Sequence, residues 1–184
     1  MYDRSNFKGG PVHPGNMDWL KQLQQKYPAH FTGCSVLEIG AYNVNGTARD
    51  YFLNVKRYVG VDVAKGPCVD IVTNAIDTHF KVEEFDTLVY LSVFEHDPNW
   101  RAGFDHNLHW IRPGGLIIIC FGAEGNKRHD PEPWAIVPVK AFHAAAATMP
   151  ITILDAFFER DRKGISPECP GAYDVLAIKK DRDT

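Results

Sequence analysis

Short apolar runs alternate with amphipathic stretches along most of this chain of 184 residues. Apolar runs of about four to eight residues bounded by turns are typical of strands, and apolar positions that recur every three to four residues are typical of helices. The predicted strands cover residues 34–39, 57–62, 69–72, 85–91, 116–121, 151–158 and 173–179. The predicted helices cover residues 17–27, 45–53, 98–111 and 139–148.

The order of these elements predicts an α/β fold. The continuous apolar runs at 85–91 and 116–121 indicate strands that are covered on both faces, as in a parallel sheet. Strands that alternate with helices predict a single doubly wound, Rossmann-like sheet with helices on both faces. The last two strands follow each other without a helix, and therefore predict an antiparallel strand at the C-terminal edge of a mostly parallel sheet.

Residues 34–62 combine a strand, a tight polar turn, a helix and a second strand that ends in an acid. Gly40 begins the turn, and Asp62 follows it at a distance of about 20 residues. Glycine lets the backbone approach a ligand, a helix N-terminus offers free N–H groups, and the carboxylate can accept hydrogen bonds from ribose hydroxyls. The pattern predicts a nucleoside site.

Composition narrows the class of protein further. The net charge of −3 gives no reason to expect nucleic acid as a partner. The four cysteines, Cys34, Cys68, Cys120 and Cys169, are scattered and form no C-x-x-C pair, which is typical of reduced thiols. No segment approaches the about 18 apolar residues of a membrane span, and no apolar leader is evident. We therefore expect a cytoplasmic protein without a membrane partner, as a monomer or homodimer.

Four motifs occur in a characteristic order, and together they carry a family resemblance. They are Val36–Gly40, Tyr58–Asp62, Phe85–Asp86 leading to Phe94–His96, and Arg112–Leu116. Over about residues 34–121 the chain resembles the class I S-adenosylmethionine-dependent methyltransferases, and most of all the small type 11 group.

The resemblance implies S-adenosyl-L-methionine as cofactor, S-adenosyl-L-homocysteine as product, and a small-molecule methyl acceptor. It divides a single domain into an N-terminal arm and helix (1–33), a cofactor-binding half (34–121), and a substrate-side loop with closing strands (122–184). The implied cofactor-binding residues are Glu38, Gly40, Ala41, Tyr42, Gly46, Asp62, Val63, Asn74, Ala75, Ser92 and Phe94.

Within that set, the resemblance implies that Glu38 holds the methionine amino group, that Asp62 binds the ribose, and that Asn74 and Ala75 lie near the adenine. The chain departs from the family pattern at Tyr42 and Val44, which stand where the second and third glycines of the first motif usually are. It also departs at Asn74, where many members have Asp. An Asn side chain can still accept a hydrogen bond through its carbonyl oxygen.

Glu95 and His96 are the candidate catalytic residues. A methyl sulfonium is already activated, so aligning the nucleophile can account for roughly 7–11 kcal/mol of the barrier, and a general base adds perhaps 10²–10⁴-fold. His96 can serve as that base, or the pair can fix the loop and the cofactor wall. Four residues of the loop 122–137 are candidates for substrate binding: Glu124, Arg128, His129 and Trp134.

Three other interpretations bear on this site. His106 and His109 have a spacing that can suit a metal, but no third ligand completes the set, and we expect none. A nicotinamide-dependent oxidoreductase would share the glycine turn and the ribose acid, but G-x-G-x-x-G and Tyr-x-x-x-Lys are missing. A methyltransferase-fold scaffold without turnover would explain the missing glycines and Asn74, whereas Glu38 and Asp62 argue against it.

Overall fold

The computed structural model describes residues 14–43, 46–126, 136–162 and 171–181, and the strands within them form a single seven-stranded sheet. Its strands are β1 (Ser35–Ile39), β2 (Arg57–Asp62), β3 (Ile71–Val72), β4 (Phe85–Leu91), β5 (Ile111–Gly122), β6 (Ile151–Phe158) and β7 (Ala172–Lys179). Their order across the sheet is β3-β2-β1-β4-β5-β7-β6. Only β7 runs antiparallel to its neighbours β5 and β6.

Three α-helices and several 3-10 turns complete the described chain. The helices are α1 (Pro14–Lys26), α2 (Trp100–Leu108) and α3 (Val139–Ala146). The 3-10 turns are Pro28–His30, Ala48–Tyr51, Ala75–Asp77, Phe94–His96 and Glu159–Asp161. In the part of the chain that the structure describes, no helix has both the length and the apolar character needed to cross a membrane.

The sheet separates two hydrophobic layers. One layer lies under α2 and α3 and is rich in aromatic rings, among them Tyr90, Phe94, Phe104, Phe121 and Phe142. The other lies under α1 and includes Trp19, Leu20, Val36, Ile118 and Leu176. Because both faces of the central strands are covered, their apolar side chains alternate between the two layers. Because β1, β2 and β4 run parallel, their carboxyl ends meet at one edge of the sheet.

The predicted doubly wound, mostly parallel sheet with helices on both faces is confirmed. The antiparallel strand β7 lies between β5 and β6, so β6 forms the edge itself. This position gives β7 backbone partners on both sides, which accounts for its burial along most of its length.

Two predicted helices are shorter than the pattern indicated. The helix predicted over 45–53 is the 3-10 turn Ala48–Tyr51, because the backbone of Leu53 hydrogen-bonds instead to Phe31 and Gly33, at 2.7 and 2.9 Å. The helix predicted over 98–111 ends at Leu108, because Ile111 already pairs with Phe85 as the start of β5.

A buried asparagine ties α2 to the sheet. Asn107 is fully buried, and its Nδ2 donates to the carbonyl oxygens of Ala75 (2.8 Å) and Gly103 (2.7 Å) and to the hydroxyl of Tyr90 (3.1 Å). Its Oδ1 accepts from the Thr78 hydroxyl at 2.8 Å. One side chain therefore satisfies polar groups of β4, α2 and the turn Ala75–Asp77 at once.

We expect Asn107→Ala to lower the free energy of unfolding by roughly 2–4 kcal/mol, because it leaves several buried polar groups without a partner and opens a cavity. Urea denaturation is the measurement. Asn99→Ala is the matched control, since Asn99 is exposed at the start of α2 and its side chain makes no capping bond. Equal effects of the two substitutions would contradict the role assigned to Asn107.

Candidate functional site

A cavity of about 350 Å³ opens at the carboxyl ends of β1, β2 and β4. This volume lies within the range of roughly 300–1,000 Å³ that is usual for small-molecule sites. Fourteen residues line it: Ile39, Gly40, Val61, Asp62, Val63, Thr73, Asn74, Ala75, Ser92, Val93, His96, Asp97, Pro98 and Asn99. The edge of the sheet where ligands of open α/β folds bind therefore carries a site of suitable size.

The contact between the turn after β1 and the segment after β4 depends on Gly40. Its φ is +79°, a left-handed conformation that side chains rarely adopt, and a Cβ at this position would overlap Cγ2 of Val93. The N–H groups of Gly40 and Ala41 both donate to the carbonyl oxygen of Val61, at 2.8 and 3.0 Å. The turn after β1 is thus hydrogen-bonded to β2, and Val93 in the segment after β4 packs against it.

Ser92 carries backbone strain at the opposite side of this contact. Its φ is +56°, and its N–H donates to the carbonyl oxygen of Cys120 at 2.9 Å. A left-handed conformation in a residue other than glycine stores on the order of 1–3 kcal/mol and is common at ligand sites. The strain bends the chain after β4 so that Val93 reaches Gly40.

Asp62 fixes the glycine turn and also faces the cavity. Its side chain is buried, and its two oxygens accept the N–H groups of Tyr42 (3.2 Å) and Ala64 (2.9 Å). An ionised carboxylate offers about four lone-pair sites. The two backbone bonds use one lone pair on each oxygen, and the carboxylate lies at the cavity wall.

The two departures from the family's glycine pattern lie next to this turn. The ring of Tyr42 occupies the space where Gly66 would carry a Cβ, so it packs on the loop after β2 and does not line the cavity. The N–H of Asn43 donates to Pro67 O at 3.0 Å, and the N–H of Gly46 donates to Asn43 Oδ1 at 2.8 Å. Val44 lies outside the described residues. Contacts between two loops thus hold the turn in shape.

Asn74 and Ala75 line the far wall of the cavity. The Nδ2 of Asn74 donates to Asp77 Oδ2 at 3.3 Å, which directs the amide oxygen away from Asp77. Ala75 is buried, and its carbonyl oxygen accepts from Asn107. The adenine-side residues implied by the resemblance therefore sit on a turn that the core holds in place.

Glu38 lies behind the glycine turn, on the α1 side of the sheet, and does not line the cavity. Its carboxyl group is buried and accepts the Tyr58 hydroxyl at 2.8 Å, while the guanidinium of Arg49 lies 4.5 Å from the centre of the Tyr58 ring. Burial raises the pKa of Glu38 to about 7, although the Tyr58 hydrogen bond and the Arg49 charge oppose the rise. Burial also raises the pKa of Tyr58 well above its usual value.

The turn Phe94–His96 points its three side chains in different directions, as a 3-10 turn with three residues per turn must. His96 lines the cavity. Phe94 does not, and this corrects its place among the cofactor-binding residues: its ring stacks in the aromatic core against Trp100 and Phe121.

Glu95 is buried on the side of the turn away from the cavity. The N–H groups of Glu95 itself and of Gly122 hydrogen-bond to its carboxyl group, and burial raises its pKa to about 7. The structure therefore separates the two candidate catalytic side chains: Glu95 ties the turn to the end of β5, and His96 alone of the pair faces the cavity.

The substrate-side candidates fall in two groups. Glu124 does not line the cavity; both of its oxygens accept the N–H of Val139 at 3.1 Å, so its charge caps the start of α3. Arg128, His129 and Trp134 lie outside the described residues. Of the implied cofactor residues, Ala41 is buried beneath the turn and Gly46 lies beyond it, and neither lines the cavity.

Three lining residues carry no motif in the sequence: Thr73, Pro98 and Asn99, from the segments after β3 and before α2. The one signal that could identify them is their position, since each follows shortly after a strand that ends at the binding edge. Asp97, next to the candidate pair Glu95 and His96, also lines the cavity. The side chain of Asp97 accepts the N–H of Asn99 at 2.8 Å and so shapes this rim.

No protein-family profile matches the chain, and no curated protein matches it. Solved structures do. The N-methyltransferase NodS from Bradyrhizobium japonicum, in complex with S-adenosylhomocysteine, superposes with a TM-score of 0.66 at 14% identity, over 92% of this chain and 89% of that one. The 1,6-didemethyltoxoflavin-N1-methyltransferase from Burkholderia thailandensis, also with S-adenosylhomocysteine, has a TM-score of 0.61 at 17% identity, over 88% and 78%. The [4+2]-cyclase SpnF has a TM-score of 0.63 at 13% identity, over 89% and 81%.

We expect Gly40→Ala to destabilise the protein by roughly 2–4 kcal/mol, since it combines a left-handed backbone with an overlap on Val93. In a Val93→Ala background the overlap disappears, and the same substitution should cost only about 1–2 kcal/mol. A double-mutant cycle measured by urea unfolding tests this coupling. Simple additivity of the two substitutions would show that the contact with Val93 is not the constraint.

Glu38 predicts a specific pH dependence of stability. Because its folded pKa of about 7 exceeds the value of 4.5 for an unperturbed Glu, the folded state holds an extra proton between these values. The contribution of Glu38 to the free energy of unfolding is therefore greatest below pH 4.5 and is lost as the pH rises through 7, by on the order of 3 kcal/mol. Glu38→Gln cannot ionise and keeps an acceptor for Tyr58, so it should match the wild type at pH 4 and exceed it at pH 8. A difference that stays constant with pH would contradict the assignment.

Proposed function

We propose that this chain, which has the fold of the class I S-adenosylmethionine-dependent methyltransferases, is a methyltransferase that acts on a small-molecule acceptor. The observation that carries the proposal is the cavity at the carboxyl ends of β1, β2 and β4, which is lined by the backbone of Gly40 and by the buried carboxylate Asp62, a candidate ribose acceptor. The fold alone does not decide the reaction, because a solved structure named as a cyclase has a similar fold.

The lining residues fit an adenosine group. The backbone of Gly40 lines the cavity because no side chain covers it, and the Asp62 carboxylate beside it is an acceptor of the kind that ribose hydroxyls need. The amide oxygen of Asn74, turned away from Asp77, can accept from the amino group of adenine. Ile39 and Val63 supply apolar surface for the ring. Together these groups supply both the polar and the apolar contacts that a nucleoside needs.

Glu38 is suited to the amino-acid end of the cofactor. Its carboxyl group lies on the strand directly before Gly40 and is buried with a raised pKa. An ammonium group brought beside it would favour the ionised carboxylate and lower that pKa. Since Glu38 does not line the cavity, we assign it to the methionine amino group through a water molecule at the glycine turn, with Tyr58 holding the carboxylate in place.

S-adenosylmethionine, when bound, supplies a methyl group that is already activated by the sulfonium. The protein has to exclude water and align the acceptor, an effect that can reach roughly 7–11 kcal/mol. His96 faces the cavity and is the side chain placed to take a proton from an oxygen or nitrogen nucleophile. Glu95 acts as a positioning residue, because it holds the turn that carries His96 against Gly122.

The first experiment is calorimetric titration with S-adenosylhomocysteine, beside NAD as the ligand of the rival oxidoreductase interpretation. We expect micromolar binding of S-adenosylhomocysteine and none of NAD. Asp62→Asn should weaken binding by about tenfold or more, because a hydrogen bond to a charged group contributes roughly 1.5–3 kcal/mol.

Asp70→Asn is the matched control for this titration. Asp70 also accepts a backbone N–H of β2, that of Gly60 at 2.7 Å, but it does not line the cavity. It should bind S-adenosylhomocysteine like the wild type, provided that circular dichroism shows both variants folded. Failure of the wild type to bind S-adenosylhomocysteine, or an Asp62→Asn variant that binds normally, would refute the proposal.

A further inference from the structure

A second group of reactive side chains lies on the α1 side of the sheet, at the carboxyl end of β5. Cys120 in β5 pairs directly with Asp174 in β7, and Glu159 follows the end of β6. The Cys120 thiol sulfur and one oxygen of each carboxyl group all lie within 4.8 Å of one another. Their exposed fractions are 1%, 0% and 0%. Three ligating atoms from three chain segments thus converge inside the protein.

Asp174 gives an independent sign that the cluster lacks a component. Asp174 is fully buried, and apart from the single weak S–H donor of Cys120 no hydrogen-bond donor among the described residues reaches its two side-chain oxygens. One of these oxygens faces Cys120 and Glu159. Leaving a buried polar group unsatisfied costs about 1–3 kcal/mol, and more for a charged group. The neighbouring Glu95 also has a buried oxygen, Oε2, without a partner in the described chain.

The start of α1 closes the cluster. A Cβ at Gly15 would lie 2.7 Å from the carboxyl carbon and both oxygens of Glu159, so the helix backbone itself packs against this carboxyl group. The backbone of α1 thus covers this side of the cluster. Two carboxyl groups and a thiol with ligand atoms this close together are a set that a single cation can hold together.

We propose that Cys120, Glu159 and Asp174 bind one divalent transition-metal ion of the zinc and cobalt class. Hard ions such as magnesium and calcium prefer ligand sets made only of oxygen, whereas a thiolate beside carboxylates suits zinc, cobalt or iron(II). On binding, the Cys120 thiol releases its proton to solvent and the sulfur coordinates the ion. Glu95 is the neighbouring group available for a fourth position.

The consequence of this site is structural. An ion bound there would join β5, β7 and the turn after β6 beneath the first turn of α1. It would therefore stabilise the half of the sheet that lies beyond β4. The site does not share a residue with the lining of the cavity, and the proposal does not depend on the proposed methyltransferase activity.

The test uses the full chain, freed of any histidine tag and stripped with a chelator, and titrated with Co²⁺ and then Zn²⁺. We expect one ion per chain, a thiolate-to-cobalt charge-transfer band in the near ultraviolet, and a higher thermal unfolding temperature. Cys120→Ser should lose the band, and both Cys120→Ser and Asp174→Asn should lose the stabilisation by metal.

Cys34→Ser is the matched control, because Cys34 is another buried thiol of the α1 layer and donates to the carbonyl oxygen of His30. It should keep both the band and the stabilisation. Should Cys120→Ser fail to fold, the proposal is still tested by whether metal raises the unfolding temperature of the wild type and fails to raise that of Asp174→Asn. Absence of the band and of any stabilisation in the wild type, or their persistence in Cys120→Ser and Asp174→Asn, would overturn the proposal.

Discussion

The close approach of Gly40 to Val93 is the contact on which the candidate site depends. β1 and β4 are neighbouring parallel strands, and both chains must turn away at the same edge of the sheet. Gly40 permits this because it has no Cβ and adopts a left-handed φ, while Ser92 accepts a strained φ so that Val93 can pack there. Asp62 then holds the same turn from β2 through the N–H of Tyr42. The shape of the cavity thus depends on how the chain turns at the carboxyl ends of β1, β2 and β4.

The two faces of the sheet differ in the polar groups that they bury. The α2 and α3 side is an aromatic layer that contains a buried amide network centred on Asn107, whose hydrogen bonds are satisfied within the described chain. The α1 side instead buries carboxyl groups, at Glu38, Glu159 and Asp174. Burial without a full set of partners raises the pKa of Glu38 and Asp174 to about 7. That side of the sheet therefore offers negative charge to a cation, whether an ammonium group or a metal ion.

The departures from the usual glycine pattern are accommodated by contacts within the protein. Tyr42 would crowd a cofactor if its ring faced the cavity, but the ring packs over Gly66, where the missing side chain makes room for it. Asn43 adds a hydrogen bond to the same loop. The turn can therefore keep Gly40 at the cavity wall although the later glycines are replaced. This is why the departures alone do not argue for a protein that has lost its ligand.

The amino-acid sequence by itself determined the strands, their mostly parallel arrangement, and the position of Gly40, Asp62, Asn74 and His96 at one edge. These follow from local patterns, since apolar runs mark buried strands and residues at the carboxyl ends of parallel strands gather at one edge. Only the tertiary structure decided which way the side chains of Phe94 and Glu95 point, because a shift of one residue in a 3-10 turn changes the direction completely. It alone also brought Cys120, Glu159 and Asp174 together. Their meeting requires β7 to insert between β5 and β6, a long-range pairing that no local pattern specifies.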